Sequence, residues 1–290
     1  MLAQQIVNGL TIGMIYALIA LGYTMVYGIL KIVNFAHGDI FMMGSFFGLI
    51  LIRNVGLPFV VAFALAAVLT ALLGILIERL AYRRLRFSDR IVPLISAMGV
   101  SIFLANLAQK LWGSEVHTFP KVMEIKTYTI AGMTFSTVQL LIFGLSIIAM
   151  LGLHFFVNKT KIGTAMRATS ISITNATLMG INTNMIIMIT FAIGSALAAA
   201  AGILVSIYYD AVYPTMGYTA GLKAFTAAVL GGIGSIPGAV LGGLILGVAE
   251  NLGIAYIAAK YQDIIAFCIL ILVLIIRPRG ILGKKEINKV

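Results

Sequence analysis

The sequence predicts an all-α fold, a polytopic transmembrane helical bundle with a broken or re-entrant segment near residues 221–255. Three observations predict it. Of 290 residues, 61% are hydrophobic and only 10% charged, whereas a soluble domain is about half apolar and a quarter charged, so the bilayer is the solvent. Apolar runs near the roughly 20 residues that span a hydrocarbon core as a helix recur along the chain. One of them, Gly221 to Asn251, is interrupted by Gly231-Gly232-Ile233-Gly234-Ser235-Ile236-Pro237-Gly238. Backbone groups left unpaired against lipid cost several kcal/mol each, so irregular backbone at that depth must be buried by protein or line a watery cavity.

In order, the candidate spans are Ile6–Leu30, Phe35–Ile52, Pro58–Leu80, Ile91–Leu111, Val138–Val157, Met185–Tyr208 and Ile264–Ile276, the last beginning near Tyr261. The interrupted region lies between the sixth and the last, as two further crossings or a re-entrant pair. All belong to a single membrane-spanning domain over residues 1–290. No Lys or Arg precedes Lys31, so a cleavable signal peptide with its basic leading region is not expected. The first run stays as a helix.

The net charge of +11 does not form a nucleic-acid surface. Arg79, Arg83, Arg84, Arg86 and Arg90 follow the third span, Lys159, Lys161 and Arg167 follow the fifth, and Arg277, Arg279, Lys284, Lys285 and Lys289 form the tail. Basic residues in short loops mark the cytoplasmic side. Counting crossings back from the arginine loop places the N-terminus outside and the C-terminus in the cytoplasm. Residues 112–137 then face outward, and Ile125–Ile130 alternates apolar with polar residues as a strand of a small hairpin would. Parity allows seven crossings plus a re-entrant pair, or nine.

Three regions could carry function. The first is the interrupted stretch, whose Gly231, Gly232, Gly234, Pro237 and Gly238 point to a translocation path, since Gly- and Pro-broken hydrophobic segments mark such paths in transporters. Gly238, Gly242, Gly243 and Gly247 suit close helix packing. Lys223 is either a lysine snorkelling to the outer interface or part of the external entrance. The second is Asn34-Phe35-Ala36-His37-Gly38-Asp39, either an interfacial turn or, through Asn34, His37 and Asp39, polar lining of the path. His37 and Asp39 would not share a helix face, and no metal site is evident. The third is the segment 159–184, too polar to cross. Ala165, Ala168, Ile171, Asn175 and Leu178 recur at spacings of three and four, which predicts one short amphipathic helix ended by Gly180. That helix rests on the membrane surface or docks a soluble partner.

The chain resembles, along nearly its whole length, the LivH-type permease subunits of bacterial ABC importers for branched-chain amino acids. The resemblance rests on Val33–Gly38, on Gly163–Arg167 with Leu178–Asn182, and above all on Lys223-Ala224-Phe225-Thr226-Ala227-Ala228-Val229-Leu230 running into Gly231–Gly238. It implies a bacterial inner-membrane importer with a second homologous permease subunit, two cytoplasmic ATPase subunits that hydrolyse ATP with Mg, and an external solute-binding protein. It also implies that the helix between Gly163 and Gly180 couples to the ATPase through Gly163, Arg167, Ala168, Asn175, Leu178 and Gly180. Relatives carry acidic residues in the middle of that helix, whereas this chain has Ile171, Ser172 and Ile173, so Arg167 and Asn175 become its polar candidates.

The residues agree with that division of labour. No G-x-x-x-x-G-K-[ST] loop occurs, so the chain binds no ATP in the usual way and no cofactor of its own. No nucleophile–base pair suggests an enzyme. A path of small and apolar residues would leave specificity to the external binding protein. Related permeases for urea or short amides are the nearest alternative. An ion-coupled secondary transporter would need carboxylates buried within the spans, and Asp39, Glu78 and Glu250 are each expected at an interface.

Overall fold

The computed structural model describes residues 2–89, 91–130 and 132–283; Arg90, Lys284, Lys285 and Lys289 lie outside them. The centre of the bundle is α1 (Leu2–Leu30), in which every residue from Ile15 to Val26 is buried. Packed along it, antiparallel, is α10 (Ile236–Tyr256). Small residues set their separation: a Cβ at Gly9 would come within 2.7 Å of the Val248 Cα, and one at Gly13 within 2.9 Å of the Leu244 Cα. Only glycine allows backbones this close.

Around this pair stand α2 (His37–Arg53), α8 (Thr183–Tyr209) and α9 (Met216–Gly231). The outer layer comprises α3 (Phe59–Ile77), α4 (Ile91–Trp112), α5 (Thr137–Lys159) and α11 (Gln262–Ile276). Its outward residues, such as Val60, Leu72, Ile95, Ile148 and Ile275, are exposed and apolar, which suits contact with lipid. Seven of the described helices, the last counted with its leading 3₁₀ turn, are long and apolar enough to cross a membrane. The molecule is a multi-pass membrane protein.

The two shorter helices explain the crossing number. With 17 and 16 residues, α2 and α9 fall short of a full span. Both begin near mid-depth of the bundle. A Cβ on Gly38 would lie 3.0 Å from the Gly221 Cα, and the His37 ring packs edge-on to Tyr23 at 4.7 Å. The chain reaches these two N-termini through non-helical backbone, residues 31–36 from one end and 210–215 from the other. Each re-entry starts with a non-glycine residue in the left-handed region, Lys31 at φ 57° and Asp210 at φ 52°, a conformation that stops a helix. Counted through these broken passes, the described chain traverses the bundle nine times. The Asn34–Asp39 segment is thus no interfacial turn: Asn34, His37 and Asp39 are buried. The stretch expected to enter from the outer face likewise has Gly221 near mid-depth.

One end of the bundle carries Lys31, Arg167 and Gly234 around a single depression, with Arg279 and Gly283 against Gly232. The arginine loop joins the same end, because the Tyr82 hydroxyl donates to Asn34 Oδ1 at 2.9 Å. The opposite end carries β2 (Thr127–Ile130) paired antiparallel with β3 (Met133–Ser136), the expected hairpin. It also carries β1 (His117–Thr118) paired with β4 (Ala211–Val212), a pairing across 93 residues that no local pattern announces.

The expected single amphipathic helix is two, α6 (Lys161–Ile171) and α7 (Ile173–Leu178). Ser172 divides them in an extended conformation and caps α7 by accepting from the Asn175 N–H, the usual role of serine at a helix start. Gly180 ends α7 at φ +82° as anticipated. The packed side is Gly163, Met166, Thr169 and Ala176 rather than the Ala165–Leu178 stripe, whose Ile171 and Leu178 point outward.

Candidate translocation site

Two helix N-termini buried at mid-depth are the main element of the site. Each brings the positive pole of its helix dipole to a place where lipid could not satisfy it. The side chains give little capping: Ala36 before α2 and Thr215 before α9 make no side-chain cap bond. Asn34 Oδ1 accepts from the Ala36 N–H at 3.1 Å and so closes the first re-entrant turn.

A cavity of about 430 Å3 opens beside the start of α9. Its walls are Ile12, Ile15 and Tyr16 from α1, Phe41 from α2, Val205 and Tyr209 from α8, and Met216, Thr219, Ala220 and Lys223 from α9; Gln262 and Asp263 of α11 close it toward the hairpin end. At its polar pole, Lys223 Nζ lies 3.0 Å from Glu250 Oε1 and 2.7 Å from Asp263 Oδ1. Glu250 Oε2 accepts from the Tyr16 hydroxyl at 2.8 Å and from Gln262 Nε2 at 3.3 Å. Lys223 and Glu250 are buried, whereas the Asp263 side chain is 54% exposed. Lys223 therefore does not snorkel; the ammonium is held inward by counter-charges, as desolvation requires.

The remaining predicted residues fall into separate places. The His37 ring lies against Gly22 of α1, and its Nε2 has no partner. Asp39 is bonded by the Ser101 hydroxyl of α4, so these two diverge as their spacing implied. Gly231, Gly232, Gly234, Pro237 and Gly238 gather at the basic end, away from the cavity. There Gly231 packs on Gly238, and the Ile281 and Leu282 N–H groups donate to the Leu230 and Gly231 carbonyls at 2.9 Å each. The chain's own C-terminal segment thus covers Gly231 and Gly232, while Gly234 and Pro237 are exposed at that end. The break therefore lies at the end of the bundle and not at mid-depth.

Of the carboxylates expected at interfaces, Asp39 is not there, since it lies in the first turn of α2 near mid-depth, whereas Glu78 prolongs α3 beside the arginine loop. Asp39, Glu78 and Glu250 are all buried, and each is neutralised or bonded locally. Glu78 sits in a π-helical turn (Glu78–Tyr82) that prolongs α3, where Arg83 and Arg86 reach it at 2.8 and 3.2 Å. Sequence reasoning missed Asp263 and Tyr16 as members of the cluster. The available signal was Glu250, a lone carboxylate in an apolar run that needed a partner.

A family profile described as "Branched-chain amino acid transport system / permease component" matches residues 5–274. The chain belongs to that family. It is 47% identical to the high-affinity branched-chain amino acid transport system permease protein BraD of Pseudomonas aeruginosa, over 99% of this chain and 97% of that one. It is 46% identical to the corresponding protein LivH of Escherichia coli K12, with the same coverage, and 29% identical to the probable branched-chain amino acid permease LivH of Methanocaldococcus jannaschii, over 92% of this chain and 88% of that one. Among solved structures, PsaBC from Streptococcus pneumoniae in complex with Fab aligns with a TM-score of 0.50 and 16% identity, covering 94% of this chain and 91% of that chain. That likeness concerns the fold alone.

Proposed function

We propose that this chain is a permease subunit of an ABC importer that moves leucine, isoleucine and valine inward by alternating access. The observation that carries the reading is correspondence to permeases of such transport systems over essentially the whole of both chains. The subunit pairs with a second, homologous permease. Two ATPase subunits bind and hydrolyse ATP with Mg, and an external solute-binding protein delivers the amino acid. The missing phosphate-binding loop supports placing the energy source in partners.

The basic end is cytoplasmic and the hairpin end external, so the N-terminus lies outside. Against Arg53, Lys110, Lys121, Lys126 and Lys260 at the hairpin end, the described residues place Lys31, Arg79, Arg83, Arg84, Arg86, Lys159, Lys161, Arg167, Arg277 and Arg279 at the basic end, an excess that supports this orientation. At that end α6 and α7 are the coupling segment, with Gly163 packed on the end of α5 and Arg167, Ala168, Asn175, Leu178 and Gly180 toward the partner. Ile171, Leu178 and Met179 are 86%, 81% and 83% exposed, beyond the apolar spans, and a protein partner would cover them. Arg167 bonds the Val157 carbonyl and Thr164, which ties the segment to α5. ATP-driven movement of α6 then reaches α5, α1 and α8, the helices it packs on, and movement of α7 reaches α8; through α1 and α8 it reaches the broken pair. Asn34, His37 and Asp39 border the path at α2, Lys223 at α9, and Gly231–Gly238 form its inner hinge.

Affinity purification of the tagged chain from native membranes tests the assembly. A second permease and two ATPases should accompany it in stoichiometric amount; isolation as a lone homo-oligomer would overturn the reading.

A further inference from the structure

We infer that the cavity at the start of α9 is itself an amino-acid site, in which the Asp263 carboxylate receives the α-ammonium group and the apolar wall receives the side chain. The inference rests on the import reading above and deepens it by giving the permease a recognition step of its own. Two features of the cavity carry it. The first is chemical polarity. Ile12, Ile15, Phe41, Val205 and Met216 make an aliphatic and aromatic wall, and the opposite side is an ion cluster with two carboxylates for one ammonium. That cluster has one negative charge left over, and Asp263 is the member that faces open space. A cavity of about 430 Å3 falls within the range of small-molecule sites, which are mostly apolar with a few placed polar groups.

The second is the direction of the field. Met216 and Thr219, from the first turn of α9, line the same cavity, so the positive pole of that helix faces it. A zwitterion carried between a negative cluster and a positive helix end is oriented, whereas a neutral amide or a bare fatty acid meets only one complementary pole. Lys223 is the positioning residue: held by Glu250, it keeps Asp263 on the cavity side. This departs from the sequence-based expectation that the path is merely small and apolar and leaves all selection to the binding protein.

The test is tritiated leucine binding to the purified permease–ATPase complex in nanodiscs, with no solute-binding protein present. Two competitors separate the poles: isopentylamine keeps the ammonium and lacks the carboxylate, and 4-methylpentanoate does the reverse. The inference expects the amine to compete better than the acid. It expects Asp263→Asn to weaken leucine binding by about tenfold or more, the size of one charge-assisted hydrogen bond, and to erase the amine's advantage. Asp263→Glu should recover much of both. Equal competition by the two analogues, unchanged affinity in Asp263→Asn, or no leucine binding to the wild-type complex at millimolar concentration would each overturn it. ATP-driven leucine uptake with the binding protein added is measured on the same wild-type preparation; if uptake persists while the binding results fail, the import reading stands and only this site falls.

Discussion

A lysine inside an apolar bundle needs counter-charge, and Lys223 has two carboxylates within 3.0 Å. Removing it as Lys223→Met leaves Glu250 buried with no cation, and breaking such a pair destabilises by about 3–5 kcal/mol. Thermal unfolding of the purified chain should show a large fall in Tm for Lys223→Met. Adding Glu250→Gln should restore most of it, because a neutral amide can still bond Tyr16 and Gln262. Equal losses in the single and double variants would mean that the pair is not the source of the effect. Glycine at 243 is the opposite kind of constraint, purely steric: a Cβ there would sit 2.5 Å from the Ala17 N. That much was readable, since the four- and five-residue glycine spacing already spoke of close packing. Asp263 was not readable. It stands at the start of the last span like any interfacial acid, and its partner is 40 residues away on a different helix, a relation no local spacing encodes.

At the level of elements, the hydrophobic pattern located the spans well because burial in lipid needs only length and apolarity. It placed the start of α2 within two residues, at Phe35 against His37, but gave the depth of neither α2 nor α9. The apolar runs do stop at the two turns, which carry Lys31 and Asn34 or Asp210 and Pro214, with Lys31 and Asp210 in the left-handed region; that the next helices then start near mid-depth depends on packing against α1, which local pattern does not encode. The Gly231–Gly238 break was legible from its glycines, and its depth was not, because the segment that covers it lies at the far end of the sequence. Gly232 has φ +105° and packs on Gly283. Gly232→Leu should therefore strain the turn by about 1–3 kcal/mol, displace residues 280–283 and reduce uptake; full uptake with unchanged Tm would show that neither constraint matters. In the coupling segment, Arg167→Glu with Leu178→Glu should lower transport-coupled ATP hydrolysis while the protein still inserts into membranes. Normal coupling in that variant would remove α6 and α7 from the docking surface.

For the whole molecule, the nine passes fix the relation between the two ends. With an odd number, the two ends of the chain face opposite compartments, and the hairpin and the arginine loop do so as well because α4 alone separates them. The positive-inside bias decides which. On a Cys268→Ser background, a cysteine placed at Glu124 should react with a membrane-impermeant maleimide in intact cells, and one placed at Arg84 only after lysis; the reverse pattern would invert the bundle. The central claim is import of branched-chain amino acids powered by partners, and proteoliposomes test it most directly. With the permease pair, the ATPases and the binding protein reconstituted, radiolabelled leucine should accumulate only when ATP is supplied on the ATPase side, and unlabelled isoleucine and valine should compete. Accumulation driven by an ion gradient without ATPases, or no accumulation of any of the three amino acids, would contradict it.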